Sequence, residues 1–160
     1  MRLTTAAIGR MKAGPERELC ERYLDRLKKS GGALGLDYAG TKEWPESRGG
    51  TAPERKREEA AQFRAALPDR CVLVCFDETG RSLGSEAFAG EIASRLEGGV
   101  RDMVFCIGGP DGFDETLRSE AALVLSFGRM TFPHQIARIL LAEQLYRAVT
   151  ILSGHPYHRA

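Results

Sequence analysis

The densest chemistry in this chain stands near its carboxyl end, where His155, Tyr157, His158 and Arg159 follow Gly154 and surround Pro156. Chain ends are usually frayed and bland. One phenol, two imidazoles and a guanidinium within five residues can instead stack on a base, bind a phosphate and handle a proton. The plain alternative is a solvated basic tail. The third histidine, His134, follows Pro133 at the start of a long apolar segment. That places it in the first turn of a helix, where backbone N–H groups lie open. A lone histidine there is either a packing or capping residue or a proton carrier. His155 and His158 are three apart, but no further Cys or His cluster completes a ligand set, so no metal is expected.

Two other segments have the composition of a ligand site. Gly108-Gly109-Pro110-Asp111-Gly112 follows an apolar run. Glycines there let a ligand approach the backbone, although a tight turn needs them equally. No Gly-Lys-Ser/Thr follows, the GxGxxG spacing is absent, and Pro110 removes a donor N–H, so this is no phosphate cradle. Phe76-Asp77-Glu78-Thr79-Gly80 ends a second apolar run. Its acids could receive a ribose or an amine, or form a solvated turn; they disfavour a phosphate-rich ligand.

The elements that must position these groups alternate. Residues 3–8, 71–76, 103–107 and 123–127 read as strands, with 33–38 as a possible further one. Residues 15–29, 53–67, 85–96, 114–120 and 133–152 read as helices, the first marked by Pro15 at its start and Gly31-Gly32 beyond its end. Residues 41–52 read as loop. Alternation with all-apolar central strands predicts an α/β domain with a largely parallel sheet, a single domain spanning 1–160. Ligands in such sheets bind outside the carboxyl ends of the strands. The loops expected there are 77–80, 108–113 and 128–132.

The last helix is unusually apolar. Ile136, Ile139, Leu140, Leu145, Val149 and Leu152 form one stripe, which Ala137, Leu141 and Ala148 widen. A surface helix of a monomer normally has one stripe and a polar back. So broad a face predicts a second copy of the chain as partner, the alternative being burial within one subunit.

Net charge is +1, but its distribution is uneven. Residues 1–30 carry eight Lys/Arg against four Asp/Glu, 71–128 carry four against ten, and 129–160 carry four against one. Two basic ends suit a composite site better than an unaided grip on nucleic acid. The four cysteines form no CxxC pair and read as free thiols of a reducing compartment. No apolar run approaches the length of a membrane span, and the first fourteen residues lack the features of a signal peptide, so a cytoplasmic location is expected.

Residues 104–113 (VFCIGGPDGF) and 125–159 (LSFGRMTFPHQIARILLAEQLYRAVTILSGHPYHR) resemble the ribosomal RNA large subunit methyltransferase H family of the SPOUT class. The opening Ile8-Gly9-Arg10-Met11-Lys12 is similar too, so the likeness runs through essentially the whole chain. The glycine turn is weakly specific; the final thirty-five residues are highly specific in order and spacing. The resemblance implies an α/β knot (SPOUT), with a parallel central sheet and a C-terminal trefoil knot, and a homodimer formed partly by the last helix. It implies S-adenosyl-L-methionine as cofactor and N3 of a pseudouridine in 23S rRNA, on assembled 70S ribosomes, as the methylated atom. Carried over by position, Phe76 lines the adenine side, Gly109 allows close approach, and Gly128, Arg129, Met130, Thr131, Phe132 and Pro133 form the loop that wraps the cofactor. His134, Arg147, Tyr157, His158 and Arg159 are then expected around the target base, the tail residues coming from the other subunit. His158 or His134 would assist deprotonation, and Arg147 or Arg159 would stabilise the developing anion. A SPOUT enzyme for another RNA such as tRNA, or an inactive ribosome-binding relative, is the alternative.

Overall fold

The computed structural model describes residues 1–158. Five strands, β1 (Arg2–Ile8), β2 (Asp37–Trp44), β3 (Val72–Ser82), β4 (Asp102–Ile107) and β5 (Leu123–Ser126), form one parallel sheet in the order β2-β1-β4-β3-β5. The helices are α1 (Pro15–Gly31), α2 (Ala52–Ala66), α3 (Ser85–Glu97), α4 (Glu115–Glu120) and α5 (His134–Leu152).

Strand alternation assigns the two faces. Leu3 and Ala7 of β1, Val74 of β3 and Met103, Phe105 and Ile107 of β4 point to one side, where they bury Leu27 of α1, Phe88 and Ile92 of α3 and Leu145 and Val149 of α5. Ala6 and Ile8, Leu73 and Cys75, and Val104 and Cys106 point to the other, under Phe63 of α2 and Leu117 of α4. The carboxyl-terminal half of β1, the first half of β3 and β4 read as apolar runs because both faces are covered there. Burial also pushes the Cys75 thiol up to about 12, so this strand cysteine is an inert core residue.

Two expectations need correction. The second strand lies at 37–44 rather than 33–38, because residues 32–34 form a 3-10 turn that closes on Gly35 at φ +74°. β2 is an edge strand of mostly polar residues whose conformation comes from pairing with β1, from Arg2↔Asp37 to Ile8↔Trp44. Tertiary pairing thus overrides local pattern, and the first third of the expected 41–52 loop, residues 41–44, is strand. Second, residues 77–80 are no strand-to-helix loop. β3 leaves its register with β5 after Phe76 and regains it at Arg81 and Ser82. A side chain at Gly80 would strike the Leu125 backbone, so this return requires glycine.

The apolar face of α5 is covered only in part inside one chain: Leu145 and Val149 of the stripe are buried, whereas Ile136, Ile139, Leu140 and Leu152 are not. α5 packs against both α1 and α3. Leu141, Ala142, Leu145, Ala148 and Val149 are all buried. The large apolar side chains left exposed are Met130, Phe132 and Ile136, clustered at the amino end of α5 and the loop before it.

Candidate active site

All five strands run the same way, so their carboxyl ends share one edge, and a cavity of about 410 Å³ lies there. That volume suits a drug-sized ligand. Three segments line it: the excursion Phe76 to Thr79 within β3, the turn Gly108 to Phe113 after β4, and Ser126 to Phe132 after β5. His134 and Ala137 of α5 complete the wall.

Each segment is held locally. Asp77 Oδ1 accepts hydrogen bonds from Thr79 N (2.9 Å) and Thr79 Oγ1 (2.5 Å), which shapes the excursion into a turn. The Gly109-to-Gly112 turn closes through Gly112 N donating to the Gly109 carbonyl at 2.9 Å. α2 clamps that turn from outside: Arg55 Nε donates to Asp111 Oδ2 at 2.7 Å. The buried Glu59 carboxylate also presses on Gly109, where an added Cβ would lie 2.6 Å from Glu59 Oε2. A side chain at 109 would therefore have to displace the Glu59 carboxylate whether or not a ligand approaches. After β5, Ser126 Oγ donates to the Gly128 carbonyl (2.8 Å) and accepts from Gly128 N (3.1 Å). Gly128 stands at φ +138°, which a side chain would strain.

The lining is aromatic and acidic. Phe76 and Phe127 stack with ring centroids 4.6 Å apart. Asp77, Glu78, Asp111 and Glu115 outnumber Lys56 and Arg118, a balance that suits a ligand carrying positive charge. His134 stands at the first residue of α5, and its buried Nδ1 has no hydrogen-bond partner among the described residues. A nitrogen so placed is free to hold or take a proton.

The structure thus gathers Phe76, Gly109, Gly128, Met130, Thr131, Phe132 and His134 around one cavity. Arg129 is exposed and Pro133 serves as the N-cap residue of α5, its carbonyl accepting from Ala137 N; neither belongs to the lining. Lys56 and Arg118 were not foreseen. They are single charged residues on helices, without a motif to mark them.

The other expected site residues lie elsewhere. Arg147 is thirteen positions beyond His134, about 20 Å along the helix at 1.5 Å per residue. There Tyr157 packs on Tyr146 (ring centroids 4.8 Å) with the Arg147 guanidinium 4.9 Å from its ring centre. Its hydroxyl donates to Glu143 Oε1 at 3.0 Å. Burial, with Tyr23 and Glu143 beside it, pushes the Tyr157 phenol up, so it keeps its proton at working pH. His158 Nδ1 lies 3.4 Å from Arg147 Nη1. Arg159 falls outside the described residues. Among the described residues no group of three or more His, Cys, Asp or Glu gathers as a metal site, and no helix is long and apolar enough to cross a membrane.

Residues 1–158 match the family described as "Predicted SPOUT methyltransferase". The chain belongs to that family. It is 59% identical to "Ribosomal RNA large subunit methyltransferase H" of Brucella anthropi over 160 residues, covering all of both chains. A relative of the same name from Brucella abortus is 55% identical over 169 residues, again with full coverage of both. Among solved structures, the SpoU methyltransferase AviRb from Streptomyces viridochromogenes, in complex with AdoMet, aligns with 96% of this chain and 61% of its own at 14% identity. Its TM-score is 0.40, a likeness too distant to carry an argument.

Proposed function

We propose that this SPOUT methyltransferase transfers a methyl group from S-adenosyl-L-methionine to N3 of a pseudouridine in 23S rRNA, on assembled 70S ribosomes in the cytoplasm, working as a homodimer. The observation that carries the RNA assignment is the 59% identity to a large-subunit rRNA methyltransferase over the full length of both chains.

The cavity fits the cofactor. Phe76 and Phe127 offer an apolar stack for an adenine, the turns at Gly108–Gly112 and Gly128 allow backbone contact, and the surplus of carboxylates suits a sulfonium and an amine. When bound there, the cofactor supplies an electrophilic methyl group. We read the convergence of three segments on one cavity, with β5 beside β3 at the sheet edge, as the α/β knot of the family.

The chain's own residues do the rest. N3 of pseudouridine carries a proton, which must leave as the N–C bond forms and the C–S bond breaks. His134, lining the cavity with an unpartnered ring nitrogen, is placed to take it. Arg147, with Tyr157, His158 and Arg159, would present the base and offset the negative charge that develops on it. Tyr157 and His158 sit at the Arg147 end of α5, about 20 Å from the His134 of their own chain. A second copy with its α5 reversed would bring tail to cavity and cover Met130, Phe132 and Ile136.

The test is methyl transfer from labelled cofactor to 70S ribosomes, free 23S rRNA and tRNA, with the product mapped by mass. Label at a pseudouridine of 23S rRNA in 70S ribosomes is expected. Label only in tRNA, or cofactor binding without transfer to any RNA, would replace this reading with one of its alternatives.

A further inference from the structure

We infer that Glu143 is a positioning residue that, through Arg147, fixes His158 as the neutral tautomer with its proton on Nε2; this rests on the reading of the tail as half of the methyl-transfer site. Glu143 Oε1 accepts from Arg147 Nε at 2.9 Å, from Arg147 Nη2, and from the Tyr157 hydroxyl at 3.0 Å. Its other oxygen accepts from Gln144 Nε2 at 2.7 Å, and Gln144 Oε1 in turn accepts from Ser85 Oγ of α3 at 2.8 Å. The carboxylate is thus held from behind, and its side chain is 15% exposed. One oxygen sets both groups that flank His158.

Arg147 then reaches His158 Nδ1 at 3.4 Å with Nη1. A guanidinium only donates. The facing Nδ1 must therefore accept, and a neutral imidazole whose Nδ1 accepts carries its proton on Nε2. Nε2 is buried without a hydrogen-bond partner among the described residues, with Glu86 Oε1 3.6 Å away. A ring in that state is a donor. At a pseudouridine it would offer Nε2–H to a carbonyl oxygen of the base, where charge accumulates as N3 loses its proton. The deprotonation then belongs to His134, and two histidines with the same ordinary chemistry take opposite roles because of what faces each ring.

The experiment is nitrogen NMR of protein labelled at its histidine rings, which needs no RNA and no turnover. In the whole wild-type chain one of the three histidines should show the Nε2–H tautomer and lose its signal in His158→Gln. In Glu143→Gln, which keeps an acceptor for Tyr157 but loses the charge that holds Arg147, that tautomer signature should shift or average. kcat on 70S ribosomes should fall about tenfold or more, with cofactor affinity unchanged. A merely structural role would lower thermal stability and leave the tautomer in place. A His158 protonated on Nδ1 in the wild type, or a Glu143→Gln protein with unaltered ring signals and kcat, overturns the inference. Failure of the wild type to methylate 70S ribosomes, with the tautomer as described, would instead remove the functional reading.

Discussion

At the amino end of α5 the cavity is built from backbone; at the carboxyl end the tail cluster is built from side chains. Glycines at 80, 109 and 128 stand where a Cβ would collide or a positive φ would strain, and α2 presses on the Gly109 turn from outside. Such a cavity is set once the sheet is set. The cluster of Tyr157, Arg147 and His158 depends instead on a single carboxylate, Glu143, and on the Tyr157 ring, tilted against Tyr146 at 4.8 Å and 4.9 Å from the Arg147 guanidinium. The first region suits a ligand held mainly by shape and backbone. The second suits a substrate met by charge, stacking and a proton.

That contrast can be broken by substitution. The largest effect is expected at the tail: Tyr157→Ala with His158→Ala should lower methyl transfer about a hundredfold or more while calorimetry finds cofactor affinity unchanged. Loss of cofactor binding in that variant would merge the two regions into one. Next comes Gly109→Ala. Its new methyl meets the Glu59 carboxylate, so a strain of about 1–3 kcal/mol should weaken cofactor binding roughly tenfold, and Glu59→Ala should restore much of it. A smaller change follows Arg55→Met, which removes the half-exposed clamp on Asp111. A slight drop in melting temperature and about a twofold loss of cofactor affinity are expected, read by thermal melting and calorimetry.

The smallest effect is a slope. Burial pushes the Glu59 carboxyl above its ordinary value. The folded chain then holds that proton more tightly than the unfolded chain, so this group's contribution to stability falls as pH rises from the ordinary carboxylate value through the raised one. Glu59→Gln, which still accepts from Ser47 N, should flatten that part of a plot of melting temperature against pH. An unchanged slope would mean that Glu59 is solvated and does not clamp the turn.

The cavity half of this design was legible in the sequence and the reason is physical. β3 and β4 are buried on both faces, so their apolar runs announce strands, and the glycines after them announce close packing at the strand ends. β2 was misplaced because an edge strand takes its conformation from its neighbour. The return of β3 after Gly80 was missed because a register shift leaves no periodic trace. Lys56 and Arg118 reach the cavity only through the way α2 and α4 dock. Resemblance identified the tail residues, but no spacing rule could show that Tyr157 and His158 fold onto their own α5, far from their own His134. Nor could it single out Glu143 from the other acids of the chain.

The central claim is that each working site takes its cavity from one copy and its tail from another. Thr131→Trp, which fills the cavity from an exposed loop, and the Tyr157→Ala, His158→Ala variant should each be inactive alone. Co-expressed with different tags and purified through both, they form mixed dimers holding one intact composite site of two, and about half of wild-type methyl transfer should return. Mixed dimers no more active than either parent would contradict the account.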